Sequence, residues 1–243
     1  MAPLQAPPRV PWLTLQAKLE RQWQPGEHVT IVAPTGHGKT HLALTLAELC
    51  RYVLVLATKR KDPLVAELAA KGYLVTARTD EILWTETEPV NTRVVIWPQF
   101  GDKVGARQRL VLQADALREV LDWADKTGGW TIVADETMWL TNSLGLEREL
   151  NSVWHQGRTQ GLSMIALAQR PSRMPRLAFS QASYLFIGKY GDKRDIDTLR
   201  EIGSVIPKEV IEQGIRSLSK DRHEFLYIDV VRDEIAVVVA PPR

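Results

Sequence analysis

The chain has 243 residues, and its 31 lysine and arginine side chains against 29 aspartate and glutamate side chains give a formal net charge of only +2. This near-neutral total excludes a protein that holds nucleic acid or a membrane by bulk basic charge along its whole length. With 44% hydrophobic and 25% charged residues, the composition is typical of a globular domain with a sizeable core.

The sequence shows no sign of a disulfide, a structural zinc site or a membrane anchor. Cys50 is the single cysteine, and no cysteine and histidine cluster has zinc spacing. No signal-peptide pattern is visible, and no stretch approaches the ~18 apolar residues of a membrane span. We therefore expect a cytoplasmic protein with a flexible, proline-rich segment over 1–13 and a single domain over 14–243.

The predicted elements alternate between apolar runs and helical segments, which is the pattern of an α/β protein with a mostly parallel sheet flanked by helices. Several runs are continuously apolar, as expected of strands buried on both faces. The predicted strands are His28 to Val32, Tyr52 to Ala57, Arg93 to Trp97, Thr131 to Ala134, Ser163 to Ala168 and Tyr184 to Gly188. The predicted helices are Thr40 to Arg51, Pro63 to Lys71, Ala106 to Lys126, Leu146 to Arg158 and Asp195 to Ile202. A terminal antiparallel β-hairpin is predicted from Glu224 to Val231 and Glu234 to Val239.

A phosphate-binding loop is predicted directly after the first of these strands. Such a loop turns backbone N–H groups toward a phosphate at a helix N-terminus, where the helix dipole also favours negative charge. Its glycines allow close approach, Lys39 reaches the outer phosphates and Thr40 holds Mg²⁺. Ala33 stands where the strict pattern has glycine. The predicted nucleotide-binding residues are Pro34, Thr35, Gly36, His37, Gly38, Lys39, Thr40 and His41.

An acidic pair, Asp135 and Glu136, ends the apolar strand that begins at Thr131. At the carboxyl edge of a parallel sheet this pair lies beside the phosphate loop, where ligands bind in such folds. We expect Asp135 to organise Mg²⁺ and Glu136 to orient and polarise the attacking water. The sequence therefore predicts ATP and Mg²⁺ as cofactors of a hydrolytic site.

Two further polar residues are candidates for catalysis. Gln169, at the end of the next predicted strand, is placed to contact the γ-phosphate and the attacking water. Arg158, at a helix end near a glycine turn, is a candidate arginine finger that enters a neighbouring chain's site. Arg170 is the competing candidate, and surface solvation is an alternative for Arg158.

Together these segments resemble the FtsK-HerA superfamily of DNA-pumping ATPases. The resemblance implies a RecA-like (ASCE) P-loop NTPase core whose lysine, threonine and acidic pair are Lys39, Thr40, Asp135 and Glu136. It also implies a homo-oligomeric ring, usually hexameric, that threads double-stranded DNA through its channel. The segments that carry the resemblance are Pro34 to Thr40, Val133 to Glu136, Gly157 to Gly161 and Ala168 to Ser172.

The small size of the chain makes it similar to the compact genome-packaging ATPases of viruses and phages. This similarity implies a capsid or portal-vertex protein as a further partner and association with virions. Lys103, Arg107 and Arg109 are candidate DNA-facing residues, although solvated surface accounts for them equally well. The net charge is unevenly distributed along the chain: residues 158–243 hold 14 basic and 11 acidic side chains.

Two other classes share the loop and stay open. One is an AAA+ helicase loader or transposition helper, which normally ends in a helical lid domain, whereas this chain is predicted to end in strands. The other is a nucleotide-dependent phage assembly or secretion protein, which usually carries a membrane-spanning segment.

Overall fold

A computed structural model describes residues 6–202 and 206–241. Within this part of the chain, ten strands join into one sheet. The strands are β1 (Arg9–Val10), β2 (His28–Val32), β3 (Val53–Leu56), β4 (Leu74–Thr76), β5 (Arg93–Ile96), β6 (Thr131–Ala134), β7 (Ser163–Ala168), β8 (Ala182–Ile187), β9 (Glu224–Asp229) and β10 (Glu234–Val239). The α-helices are α1 (Trp12–Gln22), α2 (Lys39–Ala47), α3 (Pro63–Ala70), α4 (Ala106–Thr127), α5 (Glu147–Gln160), α6 (Arg176–Ser180), α7 (Lys193–Arg200) and α8 (Lys208–Ser217).

The strand order is β1-β10-β9-β8-β2-β7-β6-β3-β5-β4. Neighbouring strands from β8 to β4 are parallel, whereas β9 is antiparallel to both β8 and β10. This arrangement confirms the predicted α/β class, with a mostly parallel sheet and a C-terminal antiparallel hairpin. It also places the carboxyl ends of β2, β7, β6 and β3 side by side at one edge of the sheet.

Helices cover both faces of the sheet. Leu42 and Leu46 of α2 belong to one apolar cluster, together with buried residues of α1 and α3. Leu117 of α4 and Trp154 of α5 belong to the other, together with buried residues of α6, α7 and α8. The central strands are buried along their whole length, which explains why their sequences are continuously apolar rather than alternating.

The N-terminal segment contributes two elements to the fold. Arg9 and Val10 pair in parallel with β10, and α1 begins directly after Pro11. The proline-rich segment predicted over 1–13 includes residues 1–5, which lie outside the described residues. In the described ranges, no helix combines the length and apolar character needed to cross a membrane.

Candidate nucleotide-binding and hydrolysis site

The predicted phosphate loop, residues 33–40, connects β2 to α2. Gly36 and Gly38 have φ angles of 78° and 90°, and Gly38 adopts the left-handed conformation directly before α2. These angles strain any residue with a Cβ, which explains the two glycines. Because α2 begins at Lys39, its N-terminal N–H groups and its dipole favour an anion in the loop.

Ala33 is accommodated by a glycine on the neighbouring strand end. Its methyl group is fully buried, and its N–H donates to the carbonyl oxygen of Ala168 at 3.2 Å. A Cβ on Gly188 would lie 2.5 Å from the Cβ of Ala33. The missing side chain at Gly188 therefore provides the space that the alanine methyl group takes.

Lys39 and Thr40 begin α2 and face the end of β6. Lys39 Nζ donates to the carbonyl oxygen of Pro34 at 3.1 Å, and Thr40 Oγ1 donates to Asp135 Oδ1 at 3.4 Å. Burial lowers the pKa of Lys39, although Asp135 and Glu136 act in the opposite direction. The phosphate loop and the acidic pair thus meet in space, as the sequence predicts.

The acidic pair follows β6 in an unusual backbone conformation. Glu136 has a φ of 67°, and a residue with a side chain in this region costs of order 1–3 kcal/mol. Both carboxylates line the same cavity. Burial raises the pKa of Asp135. The positive charges of Lys59 and Lys39 lower this pKa, whereas the negative charge of Glu136 raises it.

Lys59 is part of the site, although the sequence did not identify it. It follows β3, and its Nζ lies 3.3 Å from Glu136 Oε1 and 3.8 Å from Asp135 Oδ2. Burial lowers the pKa of Lys59, but the two carboxylates outweigh this effect and the pKa is raised. The signal that could have found it is the basic run Lys59-Arg60-Lys61 directly after a predicted buried strand.

Thr40 and Asp135 fit the predicted Mg²⁺ site. Mg²⁺ prefers oxygen ligands and is usually bound by one or two carboxylates together with substrate phosphates and water. The hydroxyl and carboxylate oxygens already lie 3.4 Å apart beside the phosphate loop. This donor set suits the ion.

Gln169 lies directly after β7, which is placed between β2 and β6. Thr35 Oγ1 donates to Gln169 Oε1 at 3.0 Å, and the carbonyl oxygen of Gln169 accepts from the hydroxyl of Tyr190 at 2.9 Å. Gln169 is therefore linked to the phosphate loop from a strand that also adjoins the acidic strand.

One cavity of about 560 Å³ joins the polar side chains of the site, a volume that suits a small-molecule ligand. The side chains that line it include Lys39, Thr40, Lys59, Asp135, Glu136 and Gln169. Its wall beyond the acidic pair contains a π-helical turn, Trp139–Ser143, a local structure that is frequent at functional sites. The cavity is further lined by His41, Met138, Trp139, Asn142, Ser143, Arg170 and Arg173.

His37 and His41 attach the phosphate loop to the C-terminal part of the chain. His37 is fully buried, and its Nε2 lies 2.8 Å from the carbonyl oxygen of Glu224 at the start of β9. His41 Nε2 lies 3.0 Å from the carbonyl oxygen of Pro241. The imidazole of His37 therefore contacts the hairpin, while its backbone remains in the loop.

Arg158 lies at the opposite edge of the sheet from the cavity. It is exposed near the end of α5, and a Cβ on Gly26, which precedes β2, would lie 2.6 Å from its Cα. The five residues of β2 span roughly 17 Å, and the phosphate loop follows the far end of that strand. The Arg158 side chain is too short to reach the cavity of its own chain.

Arg170, the competing candidate, lies at the cavity of its own chain. Its Nη1 is 2.9 Å from Oδ2 of Asp195, a carboxylate that is only 2% exposed, and 3.8 Å from Asp192. Arg170 thus pairs with Asp195 in the first turn of α7 and with Asp192, the N-cap residue of that helix.

The candidate DNA-facing residues differ in orientation. Lys103 and Arg107 are exposed, whereas Arg109 turns inward and donates from Nη2 to the carbonyl oxygen of Val104 at 2.9 Å. Lys103 and Arg107 therefore remain available to solvent, and Arg109 supports the loop before α4.

Comparison with solved structures finds proteins of the same fold. The genome packaging NTPase B204 from Sulfolobus turreted icosahedral virus 2, in complex with AMPPCP, matches with a TM-score of 0.60 and 16% identity, covering 90% of this chain and 99% of B204. VirB4 of Thermoanaerobacter pseudethanolicus matches with a TM-score of 0.55 and 11% identity, covering 89% of each chain. The pCW3 conjugation coupling protein TcpA matches with a TM-score of 0.50 and 10% identity, covering 91% of this chain and 61% of TcpA.

No protein-family model matches the sequence, and no curated protein matches it either. The structural likenesses confirm the α/β P-loop NTPase fold that the resemblance implies.

Proposed function

We propose that the protein hydrolyses ATP and uses the reaction to move double-stranded DNA. The observation that carries the ATPase activity is the convergence of Lys39, Thr40, Asp135 and Glu136 on one cavity at the carboxyl edge of the sheet. B204 from Sulfolobus turreted icosahedral virus 2, which has the same fold, has been solved with AMPPCP and with ATP-gammaS. B204 from Sulfolobus turreted icosahedral virus, also of this fold, is a DNA-packaging ATPase. This supports ATP as the nucleotide.

In the proposed mechanism, the backbone amides of the phosphate loop and the ammonium group of Lys39 hold the phosphates. Thr40 and Asp135 would hold Mg²⁺, and the ion would neutralise negative charge on the nucleotide phosphates. Glu136 accepts a hydrogen bond from the attacking water and orients it. Gln169 contacts the γ-phosphate and the same water from the neighbouring strand end.

A homo-oligomeric ring, proposed to be a hexamer, explains the position of Arg158. This guanidinium lies at the edge of the sheet opposite its own cavity, where an adjacent protomer's site can receive it. There it would stabilise the negative charge of the transition state. Each site is then complete only between two chains.

Genome packaging is the proposed use of DNA movement. B204 is a genome packaging NTPase, and the alignment covers nearly all of it. Lys103 and Arg107 suit contacts with backbone phosphates, which position DNA without reading its sequence. The proposal includes a single ATPase domain over 14–243 and a capsid or portal-vertex protein as partner. It places the protein in the cytoplasm of a bacterial or archaeal cell or host, and in association with virions.

Conjugative DNA transfer is a second candidate, favoured by the structural likeness to TcpA, a conjugation coupling protein. An AAA+ helicase loader or transposition helper is less well supported, because β9 and β10 extend the sheet where such proteins normally carry a helical lid. ATP turnover that does not respond to DNA would instead favour the phage assembly or secretion ATPase.

The test is ATP turnover of the wild type and of Glu136→Gln at low salt, with and without double-stranded DNA. We expect DNA to stimulate the wild type, and Glu136→Gln to bind an ATP analogue normally while its turnover falls about 10²- to 10⁴-fold. Glu147→Gln, an exposed position on α5, is the matched control. Turnover that ignores DNA would contradict translocation, and full turnover in Glu136→Gln would contradict the assigned site.

A further inference from the structure

Arg173 lies on the loop that follows β7, and its side chain lines the same cavity as the phosphate loop and the acidic pair. The residue is exposed. Arg176, three positions further along the chain, is also exposed but is not among the residues that line the cavity. The location of Arg173 is therefore specific to the site and does not follow from surface exposure alone.

The backbone that carries Arg173 is held firmly against the rest of the protein. It ends a short 3₁₀ turn, Pro171–Arg173, whose first residue, Pro171, is buried. Ser172 Oγ donates to Oδ1 of Asp195 at 3.1 Å, and Asp195 is itself buried in α7. Of the three residues of the turn, Arg173 is the one that lines the cavity. The turn thus directs this side chain toward the nucleotide site.

The guanidinium group of Arg173 differs from other basic groups of the cavity in having no acidic partner. Lys59 pairs with the acidic pair, and Arg170 pairs with Asp195. Over residues 6–202 and 206–241, no carboxylate forms an ion pair with Arg173. An unpaired guanidinium beside a phosphate loop is complementary to a phosphate group, to which it can donate two parallel hydrogen bonds.

The position of the loop indicates which phosphate Arg173 meets. In a phosphate loop, backbone N–H groups hold the α- and β-phosphates, and the lysine reaches the β- and γ-phosphates. Strand β7 lies between β2 and β6, so the loop that follows it begins between the phosphate loop and Glu136. Its first residue, Gln169, accepts a hydrogen bond from Thr35 at 3.0 Å. Arg173 therefore approaches from the side of the terminal phosphate.

We propose that the guanidinium group of Arg173 binds the terminal phosphate of ATP within its own chain. This inference rests on the proposed function, because it requires ATP in the cavity. Arg173 neutralises negative charge on the γ-phosphate from inside the protomer, whereas the role proposed for Arg158 is to reach that phosphate from the adjacent protomer. Because ADP lacks the γ-phosphate, Arg173 makes the site favour ATP over ADP.

The experiment compares the Kd of AMPPCP, which retains a terminal phosphate, with the Kd of ADP, both measured by isothermal titration calorimetry. Arg173→Ala should weaken AMPPCP binding about tenfold, as expected for loss of a hydrogen bond between charged groups, and should leave ADP binding unchanged. Arg173→Lys keeps the charge but not the planar fork and should lose less affinity. Arg176→Ala is the matched control and should bind both nucleotides like the wild type.

Urea unfolding of each variant shows whether the fold is intact. With the fold intact, an equal loss of affinity for both nucleotides in Arg173→Ala, or no loss for either, overturns the contact with the terminal phosphate. If Arg173→Ala is destabilised, Arg173→Lys decides: a loss confined to AMPPCP supports the contact, and unchanged or equally reduced affinities overturn it.

A mixture of Arg173→Ala and Lys39→Ala proteins tests whether Arg173 acts in its own chain. Every site in the mixture then lacks one of the two groups, so turnover should stay low, and recovery would assign Arg173 to the neighbouring chain's site. Failure of the proposed function gives a different result. Wild-type turnover that ignores DNA contradicts translocation, whereas the comparison of AMPPCP with ADP needs no DNA and still tests Arg173.

Discussion

The Nε2 atom of His37 lies 2.8 Å from the carbonyl oxygen of Glu224, so a hydrogen bond joins the middle of the phosphate loop to the C-terminal hairpin. Its ring packs edge-on against Phe225 with 4.8 Å between centroids. Burial lowers the pKa of His37, although the hydrogen bond to Glu224 acts in the opposite direction. The neutral imidazole therefore donates from Nε2–H and ties the nucleotide site to the end of the chain.

His37→Phe should weaken both the fold and nucleotide binding. A phenyl ring keeps the contact with Phe225 but leaves the carbonyl oxygen of Glu224 without its donor, which costs about 1–3 kcal/mol for a buried acceptor. We expect a lower free energy of unfolding in urea and a higher Kd for an ATP analogue. His155→Phe, on the exposed face of α5, is the control. Unchanged stability and affinity in His37→Phe would show that this bond does not support the loop.

The central strands could be predicted to the residue because their signals are local. The predicted bounds of β2, β6 and β7 coincide with the observed ones, since each is a short and mostly apolar run of the chain. The phosphate loop and the acidic pair were predicted for the same reason: each is a contiguous motif with a fixed relation to its strand.

Other elements depend on contacts that the sequence does not reveal. The pairing of β1 involves only two residues at an edge. Helix α8 contains Gly214, although glycine is unfavourable in a helix. The missing side chain of Gly214 makes room for Leu226 of β9, because a Cβ on Gly214 would lie 2.7 Å from a Leu226 methyl carbon. The contact of Lys59 with Glu136 requires β3 to neighbour β6, and strand order is a property of the whole sheet.

Gly157→Ala should disturb the packing that places Arg158. A Cβ on Gly157 would lie 2.3 Å from the carbonyl oxygen of Leu162 and 2.9 Å from Cε1 of His28, so α5 must shift away from β2. We expect a loss of about 1–3 kcal/mol in the free energy of unfolding, as for other overpacked sites, together with reduced turnover. Gly191→Ala, which has open space around it, should change neither. Equal stability of the two variants would contradict this account of Gly157.

His28 should make the fold sensitive to mild acid. Burial, together with the positive charge of Arg158, lowers the pKa of His28 to about 4 against an ordinary value of 6.5. Its Nδ1 also accepts from the N–H of Met164 at 3.1 Å, a bond that protonation abolishes. Below pH 6.5 the unfolded chain binds a proton at this position and the folded chain does not, so stability falls as the pH drops from 6.5 toward 4.

The measurement is the urea unfolding free energy at several pH values for the wild type and His28→Gln. The loss due to His28 amounts to about 3 kcal/mol over this window, and His28→Gln should lack that part of the pH dependence. His155→Gln, at an exposed position, controls for histidine titration in general. Parallel pH profiles for the wild type and His28→Gln would contradict the assignment.

Arg158→Ala and Lys39→Ala should each be inactive alone and recover activity when mixed. Arg158 lies too far from its own cavity to act there, so a finger role requires the next chain, and loss of such a finger lowers turnover about 10³- to 10⁵-fold. In a ring assembled from equal amounts of both variants, roughly a quarter of the interfaces combine an intact Lys39 site with an intact Arg158. Turnover of the mixture should rise accordingly.

Arg170→Ala mixed with Lys39→Ala is the control, because Arg170 lines the cavity of its own chain and every mixed site then lacks one group. Recovery with Arg170→Ala but not with Arg158→Ala would transfer the finger role to Arg170.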